Sequence, residues 1–350
     1  MKKISLFLTI FLLFVNSSFA VSLDEKIGQM LIIGFNGDNV KSRGYKKVLK
    51  KVEKGEISGV ILFNKNILDK SHLIEMNEKI LKANSITPFI AIDNEGGYVQ
   101  RYDFIKHCSH KTVAGFSEKE AGIHYSTMAR LEKELKFNLN FAPVVDLAIN
   151  KASIIEKKER SFSDDPKIVS KYAKIFINEH NKKKIITSIK HFPGHGSVAG
   201  DTHKGFVDAT ETFREDEIKP YIDLKDFDKL NTVMVSHIFN SNFDSENPAS
   251  LSKKTIKGLL KDKIGFRGVI VSDDYDMRAI ADNYSLRETV VKAINAGVDI
   301  MIFSNNIHRY DINVSKKVHK IIKQEIKKGN IKESDIDNSY NKIMALKSQL

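Results

Sequence analysis

The chain has 350 residues, of which 41% are hydrophobic and 29% charged, and its formal net charge is +12 at pH 7. This globular composition without low-complexity tracts excludes a disordered or fibrous protein and allows one large domain or two small ones. The single cysteine, Cys108, excludes an internal disulfide, so stability must come from the core. The lysines are scattered over helix-like segments without interleaved aromatic residues. This pattern disfavours nucleic acid as a partner, whereas an anionic cell wall or lipid surface suits a basic protein.

Residues 1–20 are typical of a cleaved secretory signal peptide. Two lysines at positions 2 and 3 precede an apolar run, and the segment ends in the small-x-small pattern SFA. The apolar run is short for a membrane span, which disfavours an uncleaved anchor and stable membrane insertion. We therefore expect an exported protein, periplasmic or secreted, with a mature chain of residues 21–350.

Through this mature chain, short apolar runs rich in Val and Ile alternate with longer segments of helical period. Because the runs do not alternate with polar residues, they are predicted to be strands buried on both faces. The predicted strands are residues 29–35, 59–63, 88–93, 139–147, 185–192, 232–238, 268–274 and 299–304. Helices are predicted between them, among others over residues 71–84, 123–137, 166–180 and 285–297, with closing helices within 306–350.

Eight strands in this order predict a single (β/α)8 barrel over residues 21–350, with a doubly wound open sheet as the alternative. Six polar residues favour the barrel because each lies at or just past the end of a predicted strand. Active sites of such barrels are built at the carboxyl ends of the strands. The six residues are Asp93, Asp146, His191, His237, Asp273 and Asn305.

The segment KHFPGHGSVAGDTH, residues 190–203, is unusually rich in reactive side chains and glycines. Its three histidines could be zinc ligands, but Pro193 and the glycines break any helix that would align them, and no CxxC or HExxH motif accompanies them. Its glycines could hold a phosphate, but the strand–GxxxxGK[ST]–helix order of a P-loop is missing. We therefore predict no metal and no cofactor.

The end of this segment, Asp201-Thr202-His203, favours a catalytic loop. A histidine held by a neighbouring carboxylate has a fixed tautomer and a pKa near the operating pH, as general acid–base catalysis requires. The segment VSDDYDM supplies a candidate partner, Asp273, which would point into the barrel. The alternative for Asp273 is an N-cap of the next helix, a role that Asp274 or Asp276 could fill instead.

These segments resemble glycoside hydrolase family 3, in the branch of bacterial β-N-acetylhexosaminidases. KHFPGHG…DTH is similar to the branch signature KHFPGHGxxxxDSH, which the β-glucosidases of the family lack. The segments DNEGGYVQR, NFAPVVDL, RSFSDDP, VMVSHI and IGFRGVIVSDDYDM follow the family motifs in order, from about residue 24 to 305. The chain departs from the pattern at Tyr98, usually arginine, at Ser163, usually glycine, and at Thr202, usually serine.

The resemblance implies a role for eight residues. Asp273 would be the nucleophile that forms a glycosyl-enzyme intermediate. His203, oriented by Asp201, would be the acid–base in place of a second carboxylate. The implied sugar-binding residues are Asp93, Arg101, Arg160, Lys190 and His191. Independently of the family, carboxylates and bidentate guanidinium groups suit a ring that carries many hydroxyls.

The resemblance therefore implies a retaining exo-β-N-acetylglucosaminidase that releases terminal β-linked N-acetylglucosamine (GlcNAc), with peptidoglycan (muropeptide) fragments as the first-choice substrate. The alternatives are a β-glucosidase or xylosidase, a β-N-acetylglucosaminide phosphorylase, and a non-enzymatic sugar-binding protein on the same barrel. Many relatives in this branch work in the cytoplasm, which is the alternative location. The sequence leaves the oligomeric state open, and a monomer is favoured.

Overall fold

A computed structural model describes residues 21–306 and 310–350. The segment predicted to be a signal peptide, residues 1–20, lies outside the described residues. Within the described residues, eight parallel strands close into a barrel in chain order, and the last strand pairs with the first. The predicted (β/α)8 barrel is confirmed. The doubly wound alternative is wrong, because an open sheet would leave its edge strands unpaired.

The strands are β1 (Leu31–Ile33), β2 (Gly59–Leu62), β3 (Phe89–Ile92), β4 (Leu139–Asn140), β5 (Ile186–Phe192), β6 (Thr232–Val235), β7 (Val269–Asp274) and β8 (Ile300–Phe303). The α-helices are α1 (Leu23–Gln29), α2 (Arg43–Glu53), α3 (Lys70–Leu81), α4 (His110–Val113), α5 (Glu118–Glu134), α6 (Ile154–Lys157), α7 (Pro166–Asn181), α8 (Lys219–Leu224), α9 (Arg278–Ala281), α10 (Leu286–Ala296), α11 (Val314–Lys327) and α12 (Glu333–Lys347). A π-helix spans Lys254–Ile264.

The strands are buried almost throughout, as their non-alternating apolar sequences predict. They are shorter than predicted, and the largest difference is in β4, which has two residues instead of 139–147. Pro143 lacks the N–H that a central strand needs for its ladder. The chain nevertheless continues beside β5, because the Val145 N–H donates to the Lys190 carbonyl over 2.8 Å.

Local capping signals determine several helix ends. Ser285 forms a capping box at the start of α10, and Gly297 ends that helix with φ of +101°, as the sequence predicts. Helix α5 begins earlier than the predicted residue 123, because Ser117 and Glu120 form a capping box there. No helix within residues 21–306 and 310–350 is both long enough and apolar enough to cross a membrane.

Helix α12 covers the amino-terminal face of the barrel with a buried lysine. The Lys347 Nζ donates to the Ser58 carbonyl over 3.0 Å and lies 4.5 Å from the centre of the Phe89 ring. Ser58 precedes β2 and Phe89 begins β3, so the ammonium lies at the opposite end of the barrel from the carboxyl ends of the strands. Burial lowers the pKa of Lys347 to about 7.

We expect Lys347→Met to stabilise the protein, and more so at low pH. An unfolded lysine keeps a pKa near 10.5, so the unfolded state binds more protons than the folded state between about pH 7 and 10.5. The free energy of unfolding of the native protein therefore decreases as the pH falls through this window. Methionine carries no charge to desolvate, so its gain in melting temperature, followed by circular dichroism, should be larger at about pH 6 than at about pH 10.

The exposed Lys320→Met is the matched control, and its effect should not depend on pH in this way. The Ser58 carbonyl still accepts the Phe89 N–H over 2.9 Å in the variant, so no buried acceptor is left unpaired. An equal gain for Lys347→Met at both pH values would contradict a desolvated ammonium.

Candidate active site

The predicted site residues all lie at the mouth of the barrel, meaning the face formed by the carboxyl ends of the strands. Asp93 directly follows β3, Lys190 and His191 end β5 together with Phe192, and Asp273 is the penultimate residue of β7. Parallel strands deliver these side chains to one face, as is usual in (β/α)8 barrels.

Lys190 lies at the centre of a network of buried charges. Its Nζ contacts Asp93 Oδ1 at 2.9 Å and Glu95 Oε1 at 2.7 Å, and its side chain is only 3% exposed. Burying an ammonium without partners is costly, so the two carboxylates offset its desolvation. This contact joins β5 to the segment after β3.

Two arginines complete this network. Arg160 donates from Nε and Nη2 to the two oxygens of Glu95, each over 2.8 Å, and its Nη2 lies 3.3 Å from His191 Nε2. Arg101 donates to Asp93 Oδ2 over 3.0 Å, and its guanidinium lies 5.3 Å from the centre of the Phe63 ring. The five predicted sugar-binding residues are therefore brought together, with Glu95 as an additional partner.

The carboxylates of this network are ionised at neutral pH. Burial alone would raise the pKa of Asp93, but Lys190 and Arg101 outweigh it and lower the pKa to about 2. Burial opposes ionisation of Glu95 in the same way, and Arg160 and Lys190 hold its pKa well below the usual range. The mouth therefore offers fixed acceptors and cationic donors side by side, as hydroxyl recognition requires.

Asp146 orients the His191 ring and holds the backbone of the loop segment at His195. Its Oδ2 lies 2.6 Å from His191 Nδ1, and its Oδ1 accepts the backbone N–H groups of His191 and His195. His191 Nδ1 is therefore occupied by a carboxylate. Among the described residues, no group of three or more His, Cys, Asp or Glu side chains is arranged to hold a metal ion.

The loop that follows β5 is held in place by the Glu217 carboxylate and by a small apolar cluster. The Glu217 carboxylate accepts the N–H groups of Gly196 and Ser197 over 2.8 and 3.2 Å. A Cβ atom at Gly196 would lie 1.9 Å from the Leu147 carbonyl oxygen, so only glycine fits there. A small apolar cluster anchors both ends of the loop; its members are Val198, Val207, Ala209 and Ile238. These contacts fix the two ends of the loop.

Asp201 and His203 form the predicted pair at the tip of this loop. His203 Nδ1 lies 2.9 Å from Asp201 Oδ1, and the His203 side chain is 55% exposed. Desolvation lowers the pKa of His203, but the hydrogen bond to Asp201 and the charge of Asp273 outweigh it, so the pKa lies above its usual value. Between the two residues, the Thr202 carbonyl accepts the Ala279 N–H over 3.3 Å, which ties the loop to α9 behind β7.

The two adjacent aspartates at the end of β7 have different environments. Asp274 is tied into the fold, because its carboxylate accepts from Ser304 Oγ, from the Ser304 N–H over 2.9 Å and from the Asp276 N–H over 3.0 Å. Burial and the charge of Asp276 raise the pKa of Asp274. For Asp273, burial is outweighed by His237, His191 and His203, so its pKa is lowered. Asp273 is therefore the ionised carboxylate of the pair.

The helix-cap alternative for Asp273 and the remaining polar residues at the strand ends can also be compared with the structure. Met277, rather than an aspartate, is at the N-cap of α9, so Asp273 does not cap that helix. His237 is fully buried, with Nε2 2.8 Å from the Asp274 carbonyl oxygen, and Asn305 donates to the Gly34 carbonyl. Tyr98, where the family pattern has arginine, is 69% exposed.

Sequence reasoning gave no role to Glu95 or Glu217. Glu95 stands in the quoted segment DNEGG two residues after Asp93, and that spacing at a strand end is a usable signal. Glu217 lies in the acidic run REDE, which has the composition of a solvated turn. Only the folded chain brings it under the loop after β5.

A closed parallel barrel with a network of buried charges, an ionised carboxylate and a histidine–aspartate pair at its mouth is the architecture of a barrel hydrolase that handles polyhydroxylated substrates. Residues 22–346 match the family model described as Glycosyl hydrolase family 3 N terminal domain. The chain belongs to glycosyl hydrolase family 3. It is therefore a glycoside hydrolase, and its substrate is a carbohydrate.

Individual relatives are similar over most of the chain. The Beta-hexosaminidase of Xylella fastidiosa (strain M23) is 30% identical over 285 residues, 78% of this chain and 82% of that protein. That of Haemophilus influenzae is 33% identical over 263 residues, 71% and 73% of the two chains. The glycoside hydrolase family 3 beta-N-acetylglucosaminidase of Paenibacillus sp. str. FPU-7 has a TM-score of 0.84 at 26% identity. That comparison covers 94% of this chain and 63% of the Paenibacillus chain.

We expect Glu95→Gln to destabilise the protein by about 3–5 kcal/mol, since it leaves the buried charges of Lys190 and Arg160 partly uncompensated. The measurement is the free energy of unfolding in urea. Glu118→Gln is the matched control, because that side chain is 68% exposed and lies 3.9 Å from Lys171. The control should change stability by less than about 0.5 kcal/mol. A Glu95→Gln effect as small as this would contradict the central role of the buried network.

Proposed function

We propose that this protein is a retaining exo-β-N-acetylglucosaminidase that releases terminal, non-reducing β-linked GlcNAc. The observation that carries the proposal is the Asp201–His203 pair, whose histidine lies within electrostatic reach of the ionised Asp273. The names of the relatives support the sugar specificity, since they are beta-hexosaminidases and a beta-N-acetylglucosaminidase. The network around Lys190 would hold the hydroxyls of the sugar.

Asp273 is proposed as the nucleophile. Its lowered pKa keeps an electron pair available at neutral pH, and the Asp274 N–H donates to its Oδ1 over 2.8 Å. Attack on the anomeric carbon would form a bond to the carboxylate as the bond to the leaving oxygen breaks, giving a covalent glycosyl-enzyme. Water then releases the sugar with its original anomeric configuration.

His203 is proposed as the acid–base of both steps. Its Nδ1 is held by Asp201, which leaves Nε2 as the atom that donates a proton to the leaving oxygen. The same nitrogen, now neutral, would accept a proton from the attacking water in the second step. The raised pKa of His203 favours its protonated form before the first step.

Peptidoglycan fragments are the proposed source of the sugar. The net charge of +12 suits an anionic glycan that carries acidic peptides. The exported location stays a prediction from residues 1–20 and fits the same substrate.

We expect turnover of an aryl β-N-acetylglucosaminide to depend on Asp273 and not on its neighbour. Asp273→Ala should abolish activity, because the neighbouring Asp274 is held by Ser304 and its raised pKa disfavours the ionised form that a nucleophile needs. Asp274→Asn should retain most activity, since the amide can replace a carboxyl group whose raised pKa favours the protonated form. Initial rates of hydrolysis are measured for the native protein and both variants. The aryl β-glucoside is the control substrate, and the native protein should hydrolyse it much more slowly than the aryl β-N-acetylglucosaminide.

A fluorinated aminosugar that traps the intermediate should label Asp273 in a peptide digest. A label on Asp274 or Asp276 would contradict the assignment, and faster hydrolysis of the glucoside would contradict the proposed specificity.

We expect His203→Ala to lose about 10²–10⁴-fold in rate on substrates with poor leaving groups, the usual value of general acid–base assistance. For activated aryl substrates the first step should be less affected, so glycosyl-enzyme should accumulate as a burst, and azide should restore turnover. In the native protein, kcat/KM should fall as the pH rises through the pKa of His203, and this fall should disappear in the variant.

Asp201→Asn should show the same pattern in a milder form, because the histidine remains but loses its charged partner. Equal losses of His203→Ala on good and poor leaving groups, without a burst, would exclude His203 from proton transfer.

A further inference from the structure

An aromatic side chain next to the Asp201–His203 pair has no part in the mechanism described so far. Phe206 lies three residues after His203 and is 56% exposed. The two Cα atoms can be at most about 10 Å apart. Single exposed apolar residues are common on proteins, so exposure alone indicates nothing. What distinguishes Phe206 is how firmly it is held.

Phe206 packs on a second aromatic ring. The ring centres of Phe206 and Phe239 are 5.2 Å apart, with their planes tilted by 42°. The Phe239 N–H donates to the Val207 carbonyl, and its own carbonyl accepts the Ala209 N–H, each over 2.9 Å. Val207 and Ala209 belong to the small apolar cluster at the base of the loop. Phe239 therefore holds the Phe206 ring in place. Because the ring is already ordered, binding a ligand to its exposed face costs little side-chain entropy.

The Phe206–Phe239 pair lies on the side of the site where the leaving group is expected. Phe239 follows His237 by two residues, and His237 contacts the carbonyl of Asp274 at the end of β7. Phe206 shares its loop with His203, the proposed proton donor to the leaving oxygen. A proton donor must stand beside the leaving group, whereas the sugar that is cleaved off occupies the Lys190 network deeper in the mouth.

We propose that Phe206, supported by Phe239, forms a platform on which the first pyranose ring of the leaving group stacks. This rests on the proposed function. A pyranose presents C–H bonds on its faces and hydroxyls around its edge, so an exposed aromatic face buries the apolar part and leaves the hydroxyls in water. The platform therefore selects substrates whose leaving group is a sugar over those with a small alcohol.

The test compares two substrates that share GlcNAc and differ in the leaving group. N,N′-Diacetylchitobiose releases a pyranose, and methyl β-N-acetylglucosaminide releases methanol, so both need a proton from the acid. Phe206→Ala should lower kcat/KM for chitobiose by about 3- to 10-fold, the value of an aromatic contact, and leave the methyl glycoside unchanged. Phe206→Trp should keep the native ratio of the two substrates, because it retains a flat face.

Ile123→Ala, on α5, is the matched control for removing an exposed apolar side chain, since Ile123 is 59% exposed, and it should change neither substrate. Equal losses of Phe206→Ala on both substrates would overturn the platform and give Phe206 a role in loop position. If Phe206→Ala changed the rate on neither substrate, that result would overturn the platform as well. Failure of the native protein to cleave either substrate would instead overturn the proposed function, and the platform with it.

Discussion

The mouth of this barrel depends on the buried ammonium group of Lys190. Desolvating a lysine is tolerated only when opposite charges converge on it, and here Asp93 and Glu95 do so from the segment after β3. Those carboxylates in turn require Arg101 and Arg160, since two adjacent buried anions with one cation would repel each other. One buried charge therefore fixes the segment after β3, the segment before α7 and the end of β5 relative to one another.

The pair proposed to be catalytic, Asp201 and His203, is built on a different physical basis. Asp201 and His203 lie on a loop that is held by the Glu217 carboxylate and by a small apolar cluster, and whose Thr202 carbonyl accepts a hydrogen bond from α9. The side chain of His203 is largely exposed, whereas Lys190 is buried. Rigid charges are suited to holding a sugar in one position, while a proton donor has to meet leaving groups of different shapes. In the proposed mechanism, the division between barrel and loop separates these two tasks.

The sequence predicted most of the fold because burial on both faces leaves a direct trace, namely uninterrupted Val and Ile runs. It overextended β4, since apolar composition continues beyond Pro143 although the ladder ends before it. The eight site residues could be named because the family motifs keep them at recognisable spacings. Glu95 was given no role, although its place two residues after Asp93 is a usable signal, because that role depends on Arg160, 65 positions away in the chain. The role proposed for Phe206 could not be predicted, since it depends on the ring of Phe239 rather than on any motif.

The charges at the mouth support the proposed use of a histidine rather than a second carboxylate. Together with the hydrogen bond to Asp201, the charge of Asp273 raises the pKa of His203, which favours the protonated form of the proposed acid while the nucleophile is free. In the proposed glycosyl-enzyme, Asp273 is an ester and carries no charge, so this contribution disappears. The pKa of His203 then falls, which favours the neutral imidazole that can accept a proton from water. Asp201 remains ionised throughout and keeps Nδ1 protonated, so the change of role takes place at Nε2 alone.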